Sequence, residues 1–123
     1  MDRRRRGGVP HSGRYDSLRR RGRPTMQVVT LNANGIRSAC KKGFLDWMLK
    51  LKADVVCLQE TRSQSHQLPE SVLNPPGWSG HFRDAEKPGY SGVAIYTRRE
   101  PDRLVETLGW DDADREARYI QAD

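Results

Sequence analysis

The apolar residues follow two periods along the chain, and the change from one to the other marks its elements. Gln27 to Leu31 is a short β-branched run, the composition of a buried strand. It stops at Asn32-Ala33-Asn34-Gly35, where Asn and Gly favour a turn. Phe44, Trp47, Met48 and Leu51 then recur at i, i+3, i+4 and i+7. That spacing predicts one helix face, with Trp47 in the core and Lys41, Lys42, Asp46, Lys50 and Lys52 around it. Asp54 to Leu58 reads as a second buried strand, ended by Gln59-Glu60-Thr61. The unit is strand, helix, strand, with polar residues just beyond the carboxyl ends of both strands.

The remainder is less regular. A loop rich in Ser, Gln and Pro covers residues 61 to 77, a strand is expected over Ser79 to Arg83, and Gly92 to Thr97 is the third clear strand. Leu104 to Leu108 is a weaker strand signal, and Arg118 to Ala122 alternates like a strand. Strands outnumber helices and no internal repeat is present, so the expected fold class is α/β.

Charge divides the chain in two. The formal charge is +6, yet residues 1 to 25 carry nine Arg and two Asp, which leaves 13 basic and 14 acidic residues, a net −1, for residues 26 to 123. With so few apolar side chains, residues 1–25 are expected to be a disordered Arg-rich leader and 26–123 a folded domain. Three readings of the leader stand open. It is a solvated basic arm that adds phosphate affinity, a transit peptide lacking the usual amphipathic face, or sequence upstream of a true start at Met26. No run approaches the roughly 18 to 20 apolar residues of a membrane span, nor is there an apolar signal-peptide core. The expectation is a soluble cytoplasmic protein with no membrane partner.

Candidate chemistry lies at the ends of the first two strands. Asn32, Asn34 and Glu60 are short polar side chains that adjacent strands could converge on one hard cation. Mg²⁺ prefers oxygen ligands and takes one or two carboxylates together with water and substrate phosphate. Glu60 is the anion, and the Asn amides are suited to a phosphate oxygen or a second carboxylate. An Asn-x-Asn-Gly is more often only a turn, and a Glu after a strand is more often a solvated loop residue.

Four blocks, taken in order, weigh against that plainer reading. They are Leu31-Asn32-Ala33-Asn34-Gly35-Ile36-Arg37, Leu58-Gln59-Glu60-Thr61-Arg62, Gly89-Tyr90-Ser91-Gly92-Val93-Ala94-Ile95 and Asp114-Arg115-Glu116-Ala117-Arg118-Tyr119-Ile120. Together they resemble the exodeoxyribonuclease III type of AP endonuclease, in the endonuclease/exonuclease/phosphatase superfamily. The resemblance implies a four-layer α/β sandwich of two packed mixed sheets flanked by helices. It implies an enzyme of DNA repair, a Mg²⁺-dependent (or Mn²⁺-dependent) phosphodiesterase that cleaves duplex DNA at abasic sites and 3′ ends, monomeric when full length and bacterial. It makes Asn32 and Glu60 catalytic and metal-binding, with Asn34 beside them. Arg37, Arg62, Gly89, Tyr90 and Ser91 become the DNA-binding positions.

The sequence departs from that pattern in places. Leu31 stands where many relatives have Trp or Phe, Arg62 where Lys is usual, and Ala117 where Gly is common. Residues 26 to 123 number 98, against roughly 200 to 250 for such a fold, and they hold no counterpart of the family's later motifs. These are a Tyr near the scissile phosphate, an Asp-x-Asn whose Asp activates water, and a C-terminal Asp and His. The expectation is an amino-terminal fragment, inactive alone, with one sheet face left uncovered.

A second resemblance points to a different class. Gly109-Trp110 and Arg118 to Asp123 look like the catabolite repression control proteins, non-catalytic RNA-binding regulators of the same superfamily. The intact Asn32, Glu60 and Gly-Tyr-Ser-Gly favour the nuclease. Cys40 and Cys57 are too few for a zinc site and are expected to be reduced thiols. His11, His66 and His81 are expected at the surface, and Trp78 and Trp110 are open between packing and DNA stacking.

Overall fold

The computed structural model describes residues 25–123, so the reading of the leader falls outside the described residues. In chain order the elements are β1 (Val28–Asn32), α1 (Ile36–Lys41), α2 (Phe44–Leu49), β2 (Val55–Gln59), a 3₁₀ turn (Ser65–Gln67), α3 (Glu70–Leu73), β3 (Ser79–Arg83), β4 (Val93–Thr97), β5 (Leu104–Val105), α4 (Asp111–Arg115) and β6 (Gln121–Ala122). The fold is mixed α/β. β1 and β2 run parallel, β4 is antiparallel to β2, and β3 is antiparallel to β4, in the order β1-β2-β4-β3. β5 and β6 form a separate antiparallel pair.

Three of the four main strands fall where β-branched composition predicts them and the fourth, Ser79–Arg83, falls where a strand is expected without it, whereas a further helix precedes the expected one. Gly43, at φ +101, turns the chain between α1 and α2. A residue with a Cβ disfavours that conformation, so the glycine sets the elbow. The amphipathic spacing reports only the second helix. The 3₁₀ turn, α3 and α4 are three to five residues long, too short to display a period.

Strand alternation sorts the sheet into two faces. One carries Val56 and Leu58 from β2 with Ala94 and Tyr96 from β4, all at most 1% exposed, and packs against Ile36, Phe44, Met48, Val72 and Trp78. Full burial of a side chain such as Ile36, Met48 or Leu58 stabilises by about 1.5–3 kcal/mol. Tyr96 sits at the centre, edge-on to Phe82 at 5.7 Å, with its hydroxyl donating to the Val72 carbonyl at 2.6 Å. Burial pushes that phenol well above its usual range. Arg98 lies 3.7 Å over the Trp78 ring and donates to the carbonyls of Ala53 and Leu51. Trp78 is therefore a packing residue, while Trp110 is exposed.

Two sequence expectations change here. Trp47 is 43% exposed rather than core, because Phe44 and Met48 already fill the buried stripe of the six-residue α2 and Trp47 stands on its flank. His81 is buried rather than at the surface. It occupies the central position of β3, and its Nε2 lies 3.1 Å from Thr97 Oγ1. His66 is exposed as expected, and His11 lies outside the described residues. Cys40 and Cys57 are free, and partial burial raises both thiols.

The opposite face of the sheet carries Val55, Cys57, Val93 and Ile95, all partly exposed, with Val28 more than half exposed at its edge. Among the described residues no helix covers it. No helix of the described chain is long and apolar enough to cross a membrane.

Candidate functional site

The sheet order decides which loops meet. Asn32, Gln59 and Val93 are register partners across β1, β2 and β4. Because β1 and β2 are parallel, their carboxyl ends point the same way. Because β4 is antiparallel, its amino end joins them. Asn32-Ala33-Asn34-Gly35, Glu60-Thr61-Arg62 and Ser91-Gly92 are thereby brought to one edge of the sheet, the end at which α/β sheets place ligands.

Backbone hydrogen bonds continue the sheet into these loops. Ala33 N donates to the Gln59 carbonyl (2.8 Å), Gly35 N to that of Glu60 (2.8 Å) and Ile36 N to that of Thr61 (2.9 Å). On the other side Thr61 N donates to the Gly92 carbonyl (3.2 Å) and Arg62 N to the Ser91 carbonyl (2.7 Å). Four non-glycine residues here have left-handed backbones: Asn34, Glu60, Arg62 and Ser91, with φ between 47° and 55°. Each such conformation costs on the order of 1–3 kcal/mol and persists where its surroundings enforce it. The only other one among the described residues is Ala117, at φ 52. This supplies the physical consequence of having Ala where Gly is common.

Glu60 is the centre of the cluster. Its side chain is 35% exposed, and Oε1 accepts from Arg62 Nη2 at 2.8 Å. The Asn32 side chain beside it is the largest of the influences that hold the carboxyl below its usual range. Desolvation opposes that influence, and the Arg62 guanidinium and, more weakly, Arg118 act with Asn32. Asn32 Oδ1 meanwhile accepts from Asn34 N at 2.9 Å. The carbonyl end of Asn32 thus fixes the turn, and its amide end is left for Glu60.

Of the residues singled out in the sequence, Asn32, Asn34, Glu60, Arg62 and Ser91 come together in this way. Arg118 is ion-paired with Glu116, its Nε donating to Oε1 at 2.6 Å, and lies near Tyr90, while Lys87 Nζ lies 5.4 Å from the centre of the Tyr90 ring. Arg37 is exposed on the first turn of α1. Gly89 sits in an exposed loop, where a methyl group added at its Cα would meet no atom within 4 Å.

Arg118 is a site residue that sequence reasoning does not single out. Its position depends on the loop after α4, where the Arg115 carbonyl accepts from Glu86 N and the Asp114 carbonyl from Arg83 Nη2. The one available signal is that it is one of two basic residues, with Arg115, in the fourth block.

The donor set suits a hard divalent cation in part. Glu60 offers one ionised carboxylate at a polar, solvent-accessible strand end, and Mg²⁺ is commonly held by one or two carboxylates plus water and phosphate. Among the described residues no group of three or more His, Cys, Asp or Glu is placed to hold a metal alone. Around Glu60 the cationic Arg62 and, more distantly, Arg118 are suited to a phosphate chain.

Known proteins share this fold. Residues 29–123 match the Endonuclease/Exonuclease/phosphatase family. The DNA repair nuclease APEX1 of Danio rerio is 35% identical over 103 residues, which cover 80% of this chain and 32% of that protein. The exodeoxyribonuclease of Bacillus subtilis (strain 168) is 34% identical over 96 residues, 77% of this chain and 37% of that protein. The solved structure of an AP endonuclease from Archaeoglobus fulgidus superposes with a TM-score of 0.63 at 28% identity, over 75% of this chain and 35% of that one. The chain spans about a third of the length of the relatives it matches. Because the family model matches residues 29–123 and the fold superposes on an AP endonuclease, the chain belongs to the Endonuclease/Exonuclease/phosphatase family.

Proposed function

We propose that this chain is the amino-terminal part of a metal-dependent DNA repair nuclease of the exodeoxyribonuclease III type, acting on duplex DNA at abasic sites and 3′ ends. The observation that carries the reading is the Glu60 carboxylate, paired with Arg62 at 2.8 Å where three loops joined by backbone hydrogen bonds meet, with Asn32 and Arg118 beside it. An anion held among cations in this way matches a site that must take both a metal and a phosphodiester. It is a less economical arrangement for the RNA-binding regulator, which needs only the cations.

In this mechanism Asn32 stands beside Glu60, and Glu60 would hold Mg²⁺ or Mn²⁺, which when bound would supply Lewis-acid polarisation of a phosphodiester. Arg62 and Arg118 offset charge on the phosphate oxygens, and the Asn34 amide is free to donate to one of them. Tyr90, Ser91 and Gly89 border the path of the strand, and Arg37 extends the cationic track onto α1. The described residues around Glu60 supply no general base for water. By the family resemblance, the Asp and His that serve there belong to later motifs. The chain by itself is accordingly inactive.

The test is a pair of assays on duplex DNA with one abasic site in Mg²⁺. The 123-residue chain alone should leave the duplex intact. A chimera in which residues 29–123 replace the matching segment of the Bacillus subtilis exodeoxyribonuclease should nick it, and Glu60→Ala should abolish the nicking. Cleavage that survives Glu60→Ala in the chimera removes the basis of the reading.

A further inference from the structure

Beside the Glu60 cluster a groove of about 460 Å³ opens between the end of β1 and the α1–α2 elbow. Leu31, Ala39 and Phe44 give it apolar walls, Lys42 and Trp47 also line it, and at one end it reaches Asn32. Its volume is in the range of pockets that take a small organic ligand, which are roughly 300–1,000 Å³. The elbow glycine, Gly43, leaves the rim open, since a methyl at its Cα meets nothing within 4 Å. Trp47 stands on the flank of α2 at 43% exposure, its ring 6.0 Å from that of Phe44. An indole held against a second ring and open to a groove is a stacking surface, and every nucleobase has a π-face to match it.

Charge selects the class of occupant. Residues 26 to 123 together carry a net −1, yet Arg37, Lys41, Lys42, Lys50 and Lys52 crowd the α1–α2 segment against Asp46 alone. All five cations are exposed, and none is ion-paired within the described residues. A polyanion carrying flat apolar groups complements both the cations and the ring.

We propose that this groove is a subsite for one unpaired nucleobase at the end of a DNA strand lying on the Glu60 cluster, with the base against Trp47 and a neighbouring phosphate on Lys42. The proposal rests on the nuclease reading and adds a substrate class to it: duplex ends that carry an unpaired base. Lys42 positions the phosphate, and the groove reads the presence of a base without identifying it.

The test uses the full 123-residue chain and fluorescently labelled duplexes that differ only at one end. One has an overhang of two thymidines and the other an overhang of two abasic tetrahydrofuran spacers. The phosphates are the same, so attraction by the Arg-rich leader is common to both. Base–aromatic stacking predicts roughly 5- to 160-fold tighter binding of the thymidine overhang in anisotropy titrations. That preference should vanish in Trp47→Ala, and also in Ala39→Leu, which fills the groove while leaving Trp47 in place. It should persist in Trp110→Ala, which removes an exposed indole elsewhere. Circular dichroism of each variant establishes that it is folded. Equal affinity for the two overhangs overturns the groove proposal and leaves the nuclease reading intact, as does a preference that survives in folded Ala39→Leu. Failure to bind either duplex at low salt overturns both.

Discussion

Gly92→Ala tests the contact that holds two of the site loops together. Gly92 has φ +92, and a Cβ placed on it falls 2.2 Å from Thr61 Oγ1. Thr61 is fully buried and its Oγ1 has no hydrogen-bond partner, so the obstacle is steric. Two penalties add. A left-handed backbone costs a residue with a Cβ about 1–2 kcal/mol, and inserting a methyl into a closed space costs about 1–3 kcal/mol. The expected loss is therefore about 2–5 kcal/mol, a large part of the roughly 5–15 kcal/mol that stabilises an ordinary domain. Urea unfolding followed by tryptophan fluorescence measures it. The double variant Gly92→Ala/Thr61→Ala separates the two penalties, because removing Oγ1 relieves the collision and leaves the backbone strain. Thr61→Ala should therefore recover about 1–3 kcal/mol in the Gly92→Ala background. A Gly92→Ala chain within about 0.5 kcal/mol of the parent, or a double variant no more stable than the single, would refute the reasoning.

Other expectations are more local. Tyr96→Phe removes the donor to the buried Val72 carbonyl and should destabilise by about 1–3 kcal/mol in the same assay. Asn32→Ala should raise the Glu60 carboxyl toward its ordinary value of 4.5, read by carboxyl NMR titration. The folded-state value in the parent lies below the unfolded one. The stability from this contact is therefore present above about pH 4.5 and is lost as pH falls through the lower folded value, and Asn32→Ala should flatten that acid limb. On the open face, Ile95→Lys should reduce self-association in sedimentation at a cost of about 1 kcal/mol in strand propensity. Unchanged self-association would show that this face is not the adhesive one.

Much of the fold is legible in the sequence because its strands are short and strongly β-branched. Val28 to Leu31, Val55 to Leu58 and Val93 to Thr97 announce themselves through composition, with no contribution from distant residues. The helices are less legible. The stretch from Ile36 to Leu49 is two helices split by a left-handed glycine, and a period of 3.6 reports only the half with enough apolar positions. His81 reads as exposed because it is a polar side chain in a short run, Ser79 to Arg83, that has Phe82 as its only apolar residue. Its burial comes from β4 pairing alongside it. Trp47 reads as core because spacing indicates a face and carries no information on how wide the buried stripe is.

Local preferences of each residue and its close neighbours are thus enough to set the places of the main strands, to separate a basic leader from a near-neutral remainder, and to put polar groups at the strand ends. They are not enough to assemble the site. That Asn32, Glu60 and Ser91 share one edge, that Arg118 joins them from the fourth block, and that a groove opens beside Trp47 are all consequences of the assembled chain. The physical reason is strand order. Inserting the antiparallel β4 between β2 and β3 brings the loop before β4 against the loop after β2. That outcome depends on hydrogen bonds between segments some thirty residues apart, and no local pattern of apolar and polar positions encodes it.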